Sequence, residues 1–229
     1  MDETIHINIG SLIKTDTHYI STTKTRLWPS LIAGLRWIYK RPIGGSTLTV
    51  NGLGLLTINT LAIAVEGFIT DILIEYLTSD NQANSDRITQ IENSSWSSKV
   101  KAYSKEFQNP LSNCKTFKAI EILLLLRNNT AHGRTHTEQT IRSIDGKKTS
   151  KIESQNKNYE KVRKFFIAQK LMKESEMFSN VETLWQIAHA QFFMGYVRLF
   201  MYEVLENNKS DKFEGMRSEV DNAFNMTII

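Results

Sequence analysis

Apolar residues recur along most of this chain at the three-and-four spacing of an amphipathic helix, and that period sets the predicted architecture. The first such run covers about Lys24 to Tyr39, where Leu27, Leu31, Leu35 and Ile38 share a face, and Arg41-Pro42-Ile43-Gly44-Gly45 ends it. From about Leu53 to Thr78, Leu61, Val65, Phe68, Ile69, Ile72 and Tyr76 form a stripe, and further apolar residues cover most of the remaining surface. A helix apolar nearly all round belongs at the centre of a fold. A more polar helix is predicted over Asp86 to Phe107, through Ile88, Ile91, Trp96, Val100 and Tyr103, with Asn109-Pro110 as its stop. A fourth runs from about Cys114 to Ala131, with Gly133 as its C-terminal stop. Helical spacing resumes at about Asn158 to Met172 (Val162, Phe165, Phe166, Leu171) and again at about Asn180 to Asn207 (Leu184, Trp185, Ala188, Phe192, Tyr196, Leu199, Phe200).

Three stretches break the period. Residues Met1 to Thr23 are polar and β-branched and read as an arm or short strand. Between Thr135 and Ser154, Ile141, Ile144 and Ile152 alternate among Thr, Ser and Lys around Asp145-Gly146, which predicts a β-hairpin or extended loop after the fourth helix. The residues after Asn207 are polar and read as a frayed tail. The prediction is therefore an all-α chain: an N-terminal arm and short helix packed on the core (1–52), a helical domain (53–207) with the hairpin or loop inserted at 135–154, and a C-terminal tail (208–229).

Composition narrows this further. With 41% hydrophobic and 23% charged residues the 229-residue chain resembles a soluble globular protein, and three prolines and 11 glycines are few for an all-β fold with many tight turns. Cys114 is the only cysteine, so an internal disulfide is excluded, and no Cys/His spacing resembles a structural zinc site. A cytoplasmic location is the simplest expectation. Met1-Asp2-Glu3-Thr4 opens without the basic and apolar regions of a secretory signal. The most apolar stretch, Leu53 to Leu77, carries Glu66, Asp71 and Glu75 and makes a poor membrane span, so no membrane partner is predicted.

The fourth helix carries the chemistry. On a helix, Phe117, Ile120, Leu124 and Ala131 lie on one apolar face, and Asn128 falls in the middle of it. A carboxamide there needs either hydrogen bonds inside the domain or a face that is the wall of an interface or cleft. His132 shares the side of Asn128, whereas Arg127 lies about 140° away from His132. Two arrangements would bring Arg and His onto one atom: an unwound last turn at Gly133, or a second copy facing the first across a two-fold axis.

The segment Leu126-Arg127-Asn128-Asn129-Thr130-Ala131-His132-Gly133 resembles the signature of HEPN domains, an Arg followed after four to six residues by a His, with a polar residue directly after the Arg. The resemblance rests on Arg127, Asn128 and His132, and the helical stretches within residues 53–207 fit the family's core of about four helices. It implies a HEPN-like helical bundle, a homodimer with paired signatures at the interface, and a metal-independent endoribonuclease acting on RNA without a cofactor. It also implies a toxin or antiviral defence effector, for which an antitoxin or regulatory protein would be a further partner. The first fifty residues and the hairpin region have no general counterpart in that family. Some HEPN domains are instead non-catalytic modules that bind RNA, nucleotide or protein, and a plain helical scaffold is the blandest alternative.

The residue types suit the implied reaction. Cleavage by the 2′-hydroxyl needs a base, an acid for the leaving 5′-oxygen, and positive charge at the phosphorane. A histidine can be base or acid at neutral pH. An arginine's guanidinium matches phosphate oxygens and stays charged. Asn128 would orient the histidine or the phosphate.

Other residues add less. Glu66 interrupts a buried helix and is open to three readings: a partner of Arg127 supporting the site, a structural ion pair, or a solvent-facing residue. Between Arg134 and Lys170 there are ten Lys and Arg against four Asp and Glu, a local excess larger than the +4 of the whole chain. Arg134, Lys147, Lys148, Lys151, Arg163 and Lys164 are candidates to track an RNA backbone there, or else a solvated face. His132 and His136 are four apart, yet no carboxylate motif accompanies them, so no metal is assigned. His189 reads as a helix-face histidine, and Cys114 as a buried small residue. Trp185, Phe192, Phe193, Tyr196 and Phe200 read as core or a dimer seam rather than a base-stacking surface.

Overall fold

The computed structural model describes residues 9–14, 19–24, 26–39, 47–79, 85–131, 138–141, 151–154, 157–174, 187–208 and 213–225. Among them are eight α-helices: α1 (Trp28–Tyr39), α2 (Thr47–Ser79), α3 (Ser85–Glu92), α4 (Trp96–Phe107), α5 (Phe117–Ala131), α6 (Lys157–Ala168), α7 (Ile187–Asn207) and α8 (Glu214–Asn225). The chain is mostly helical, as the apolar period predicts.

The 33-residue α2 organises the rest, packing against α1, α3, α4, α5 and α7. Ile58, Leu61, Ala62, Val65, Phe68, Ile69, Ile72, Leu73 and Leu77 are all fully buried along it. Those positions span more than one stripe, which is why the helix needs partners on several sides. Trp28 of α1 meets Phe68 edge-on at 5.3 Å. By length and composition Gly52–Thr78 would also pass as a membrane span, but half of its most apolar window is buried inside the helical packing. The acids that interrupt it hold neighbours. Asp71 accepts the Trp28 indole N–H at 3.0 Å, Glu75 accepts from Arg26 at 2.7 Å, and Glu66 accepts from Arg127.

The predicted single helix over Asp86 to Phe107 is two. Asn93 and Ser94 turn their side chains back onto the carbonyls of Thr89 and Ile91, ending α3. Ser95 then takes an extended backbone and its hydroxyl accepts the Ser98 N–H, capping α4. The Asn-Ser-Ser run supplies cap chemistry that outweighs the continuous apolar period. Helix α4 stops at left-handed Gln108, before Asn109-Pro110. Likewise α5 starts at Phe117 rather than Cys114, because a 3-10 turn at Leu111–Asn113 precedes it and Glu203 of α7 accepts both the N–H and the hydroxyl of Thr116.

The tail predicted to fray contains α8, which packs on α1 and α7 and buries Met216, Val220, Ala223 and Phe224. Their spacing is helical, although the segment is short and polar between them. Arg26, its side chain 5% exposed, ties α8 to α2 by pairing with Glu219 as well as Glu75. Arg36 of α1 donates to the Ala223 carbonyl at 3.1 Å. The division proposed at residue 52 falls inside α2.

Two antiparallel hairpins complete the described elements. In the N-terminal arm β1 (Ile9–Lys14) pairs with β2 (Tyr19–Lys24). After α5, β3 (Glu138–Ile141) pairs with β4 (Lys151–Ser154), with Thr140 opposite Ile152. That register is centred on position 146, one residue out of step with pairs that would close on a two-residue Asp145-Gly146 turn; the turn itself lies outside the described residues.

Replacing a fully packed Met by Ala removes apolar burial and leaves a cavity, costing about 2–5 kcal/mol. Met216→Ala is expected to lower stability by that amount in urea titration; a frayed tail would leave it unchanged.

Candidate functional site

Helix α5 reaches the site through its own apolar run. Ala119, Ile120, Ile122, Leu123, Leu124 and Leu126 are buried against α2, α6 and α7, which anchors the helix up to its last turn. Arg127 follows directly, and its Nη2 pairs with Oε1 of Glu66 on α2. Both side chains are about a quarter exposed, at 25% and 24%. Of the three readings of Glu66, the solvent-facing one is set aside by this ion pair, which fits both a partner supporting the site and a structural pair.

Lys99 of α4 joins this pair from a third helix. It is 7% exposed, and its Nζ donates to the Glu92 carbonyl at 3.4 Å. Burial lowers its pKa, Glu66 opposes that shift, and the Arg127 charge adds to it. Glu92 at the end of α3 also opposes the shift, so Arg127, Lys99, Glu66 and Glu92 interact as two cations and two carboxylates from four helices, with no net charge. Sequence reasoning missed Lys99. The signal was present, because Lys99 stands three residues after Trp96 and four before Tyr103, on the inward side of α4.

Asn128 is exposed, not embedded in the core face predicted for it. Leu124, one turn earlier, is buried, so the packing partner on that side of α5 ends between the two. Helical arithmetic assigns a direction but not what stands opposite. Of the two readings of the carboxamide, the one that agrees is a face left open in the single chain. Two apolar side chains lie open nearby in sequence on α2: Leu56 and Ile63 are 52% and 53% exposed, about 20° apart around the helix, and Glu66 follows Ile63 by three residues.

His132 comes immediately after Ala131, the last residue of α5, and lies outside the described residues, as do His136, Arg134, Lys147 and Lys148. Lys151 belongs to β4, but its side chain is not described. Arg163 is corrected: it is 4% exposed and donates to the Glu174 carbonyl beyond α6, so it closes the end of that helix rather than tracking RNA. Lys164 is exposed and lies 3.5 Å from Glu160 one turn before it.

The remaining reactive side chains are structural. Cys114 is buried, with its thiol pushed up to about 11 chiefly by burial, and the Asn207 amide donates to its sulfur at 3.6 Å. Tyr103 is pushed up to about 12, again chiefly by burial, and accepts from Asn208. His189 is buried, stacked on Phe166 at 4.9 Å, with Nε2 3.2 Å from the Leu171 carbonyl. Phe193 and Phe200 are fully buried, and Phe192 and Tyr196 pack at the margin; Trp185 lies outside the described residues. Among the described residues no group of three or more His, Cys, Asp and Glu is arranged to hold a metal ion.

No family model, no curated protein and no solved structure matches this chain.

The lowered pKa of Lys99 has a consequence for stability. Between the lowered folded value and its ordinary value of 10.5, the unfolded chain binds more protons than the folded one, so stability rises with pH across that window. Lys99→Met is therefore expected to be more stable than the parent at pH 7, with the advantage shrinking as pH approaches 10.5. Urea titrations at several pH values test this, and a difference that does not change with pH would contradict it.

Proposed function

We propose that this chain is a metal-independent endoribonuclease of HEPN type, acting as a homodimer, with Arg127 and His132 as catalytic residues and Asn128 as an orienting one. The observation that carries the reading is the end of α5. There the signature arginine is braced by Glu66 and followed by an exposed Asn128, and the signature histidine comes one residue beyond the helix. The carboxylate from a second helix fixes the direction of the guanidinium, as a site that must aim it at a phosphate requires. The guanidinium, a quarter exposed, remains open on one side to a phosphate whose negative charge grows in the transition state.

In this mechanism the imidazole of His132 from one copy takes the 2′-hydroxyl proton, and O2′ bonds to phosphorus. The bond from phosphorus to O5′ breaks, and His132 of the second copy, protonated, gives its proton to the leaving oxygen. The products are a 2′,3′-cyclic phosphate and a free 5′-hydroxyl. Arg127 stabilises the pentacovalent phosphorus, and Asn128 orients phosphate or imidazole. A single ideal helix separates Arg127 and His132 by about 140°, so the second copy completes the site. Leu56 and Ile63, ten and three residues before Glu66 on α2, are the exposed apolar side chains that this dimer would cover. In the cell the reading makes the protein a cytoplasmic toxin or antiviral effector, held in check by an antitoxin or regulatory protein.

One observation favours a second reading. Arg127 is already engaged by Glu66, as in a structural ion pair, which suits a non-catalytic HEPN-type module that binds RNA, nucleotide or protein at the same helix end.

The test is incubation of purified protein with total RNA in EDTA. Arg127→Ala and His132→Ala are each expected to lower cleavage about 10²–10⁴-fold, with cyclic phosphate ends on the parent's products. Binding without cleavage in the parent would leave the module. A separate expectation concerns the dimer: Leu56→Glu combined with Ile63→Glu should shift the sedimenting species to a monomer and abolish cleavage, and an unchanged dimer would place the interface elsewhere.

A further inference from the structure

A second basic site lies on the far side of α5. Where the start of α5 packs against α6, a groove of about 470 Å³ opens between them. Lys115 and Lys118 stand on one wall, Lys161 and Lys164 on the other, and Tyr196 of α7 with Gln169 borders the opening. All four lysines are exposed, and no carboxylate lines the groove. Lys164 lies near Glu160, whereas Lys115, Lys118 and Lys161 have no ion-pair or hydrogen-bond partner among the described residues. The pole of α5 is already met by Glu203 through Thr116, so the positive field here comes from the four ammonium groups.

Solitary lysines on helix surfaces are ordinary solvated groups. Four that line one concavity, three of them without a carboxylate partner among the described residues, are different, because their mutual repulsion is focused there and is relieved by an anion. Ammonium groups are compact point charges that tolerate many phosphate geometries, which suits a strand followed along its length better than one phosphate gripped by a planar fork. The half-buried Tyr196 at the rim offers aromatic surface of the kind that accompanies backbone contacts to single strands.

We propose that this groove binds the phosphodiester backbone of single-stranded RNA as a site separate from the end of α5. Lys118 and Arg127 are nine residues apart, which puts them half a turn apart around the helix and about 13.5 Å apart along it. The groove therefore captures substrate away from the scissile phosphate. The phosphate chemistry stands on the groove itself, and the choice of RNA as its source rests on the proposed function.

The experiment follows the anisotropy of a labelled single-stranded RNA bound to the full chain carrying Arg127→Ala, across a salt series. Adding Lys118→Gln with Lys161→Gln is expected to weaken binding at least tenfold. The slope of log affinity against log salt should become shallower by about 1.4, since each phosphate contact contributes about 0.7 for single strands. Lys101→Gln with Lys105→Gln, which removes the same charge from exposed positions of α4, should leave both quantities unchanged. Equal weakening by the two pairs, no effect of the groove pair, or no binding by the starting chain would overturn the proposal. Displacement of the RNA by micromolar ATP would also overturn it, by making the groove a mononucleotide site. Cleavage by the wild-type chain that is indifferent to the groove pair would sink this inference and spare the nuclease. Groove-dependent binding by a wild-type chain that never cleaves would do the reverse.

Discussion

Three carboxylates on an otherwise apolar helix decide how this fold assembles. Helix α2 must be covered on several sides, and apolar contact alone would accept many arrangements of its neighbours. Glu66, Asp71 and Glu75 narrow the choice, since a carboxylate left without a partner in a largely buried helix is costly. Asp71 and Glu75 take Trp28 and Arg26 and so set the entry into α1, and Arg26 passes the constraint to Glu219 of α8. Glu66 takes Arg127 and sets where the end of α5 lies. Such pairs add little net stability compared with apolar packing, but they discriminate against other registers, and here one of them also shapes the candidate site.

The parts of this architecture that could be read from the chain are those where a single period runs long enough to dominate. Helices α2, α5 and α7 follow from their apolar repeats, and Glu66 was noticeable because it interrupts one. Periodicity failed where short-range chemistry or an unseen neighbour decided the outcome. Asn93, Ser94 and Ser95 end one helix and begin another despite an apolar pattern that runs through them. Helix α8 is stable because α1 and α7 receive it, which no local pattern in a short polar segment discloses. Asn128 and Arg163 reverse roles for the same reason. The carboxamide on the apolar side of α5 is exposed, while the arginine in a basic stretch is folded inward onto a carbonyl.

The site was legible in part. The Arg-Asn-Asn-Thr-Ala-His segment stands out by its resemblance to a known signature, with Gly133 placing the helix end, but the brace from α2 and the charge from α4 depend on distant segments meeting. Lys99 illustrates the difficulty: among a chain's many lysines, one on the inward side of a helix draws notice only after its neighbours are known. The lysine groove is similar, since Lys115 and Lys118 are unremarkable until α6 lies beside them. Basic side chains thus stand near both ends of α5, on opposite sides of the helix.

The joint between α4 and α5 is gripped by the end of α7. Asn208 reaches Tyr103, Asn207 reaches Cys114, and Glu203 holds Thr116. Three anchors at and just beyond the C-terminal end of α7 tie that connector down, so its release requires the last turns of α7 to give way. A mechanical coupling follows: strain applied at the C-terminal end of α7 is felt at the root of α5, and the candidate site at the other end of α5 sits on a beam whose foundation is set by α7.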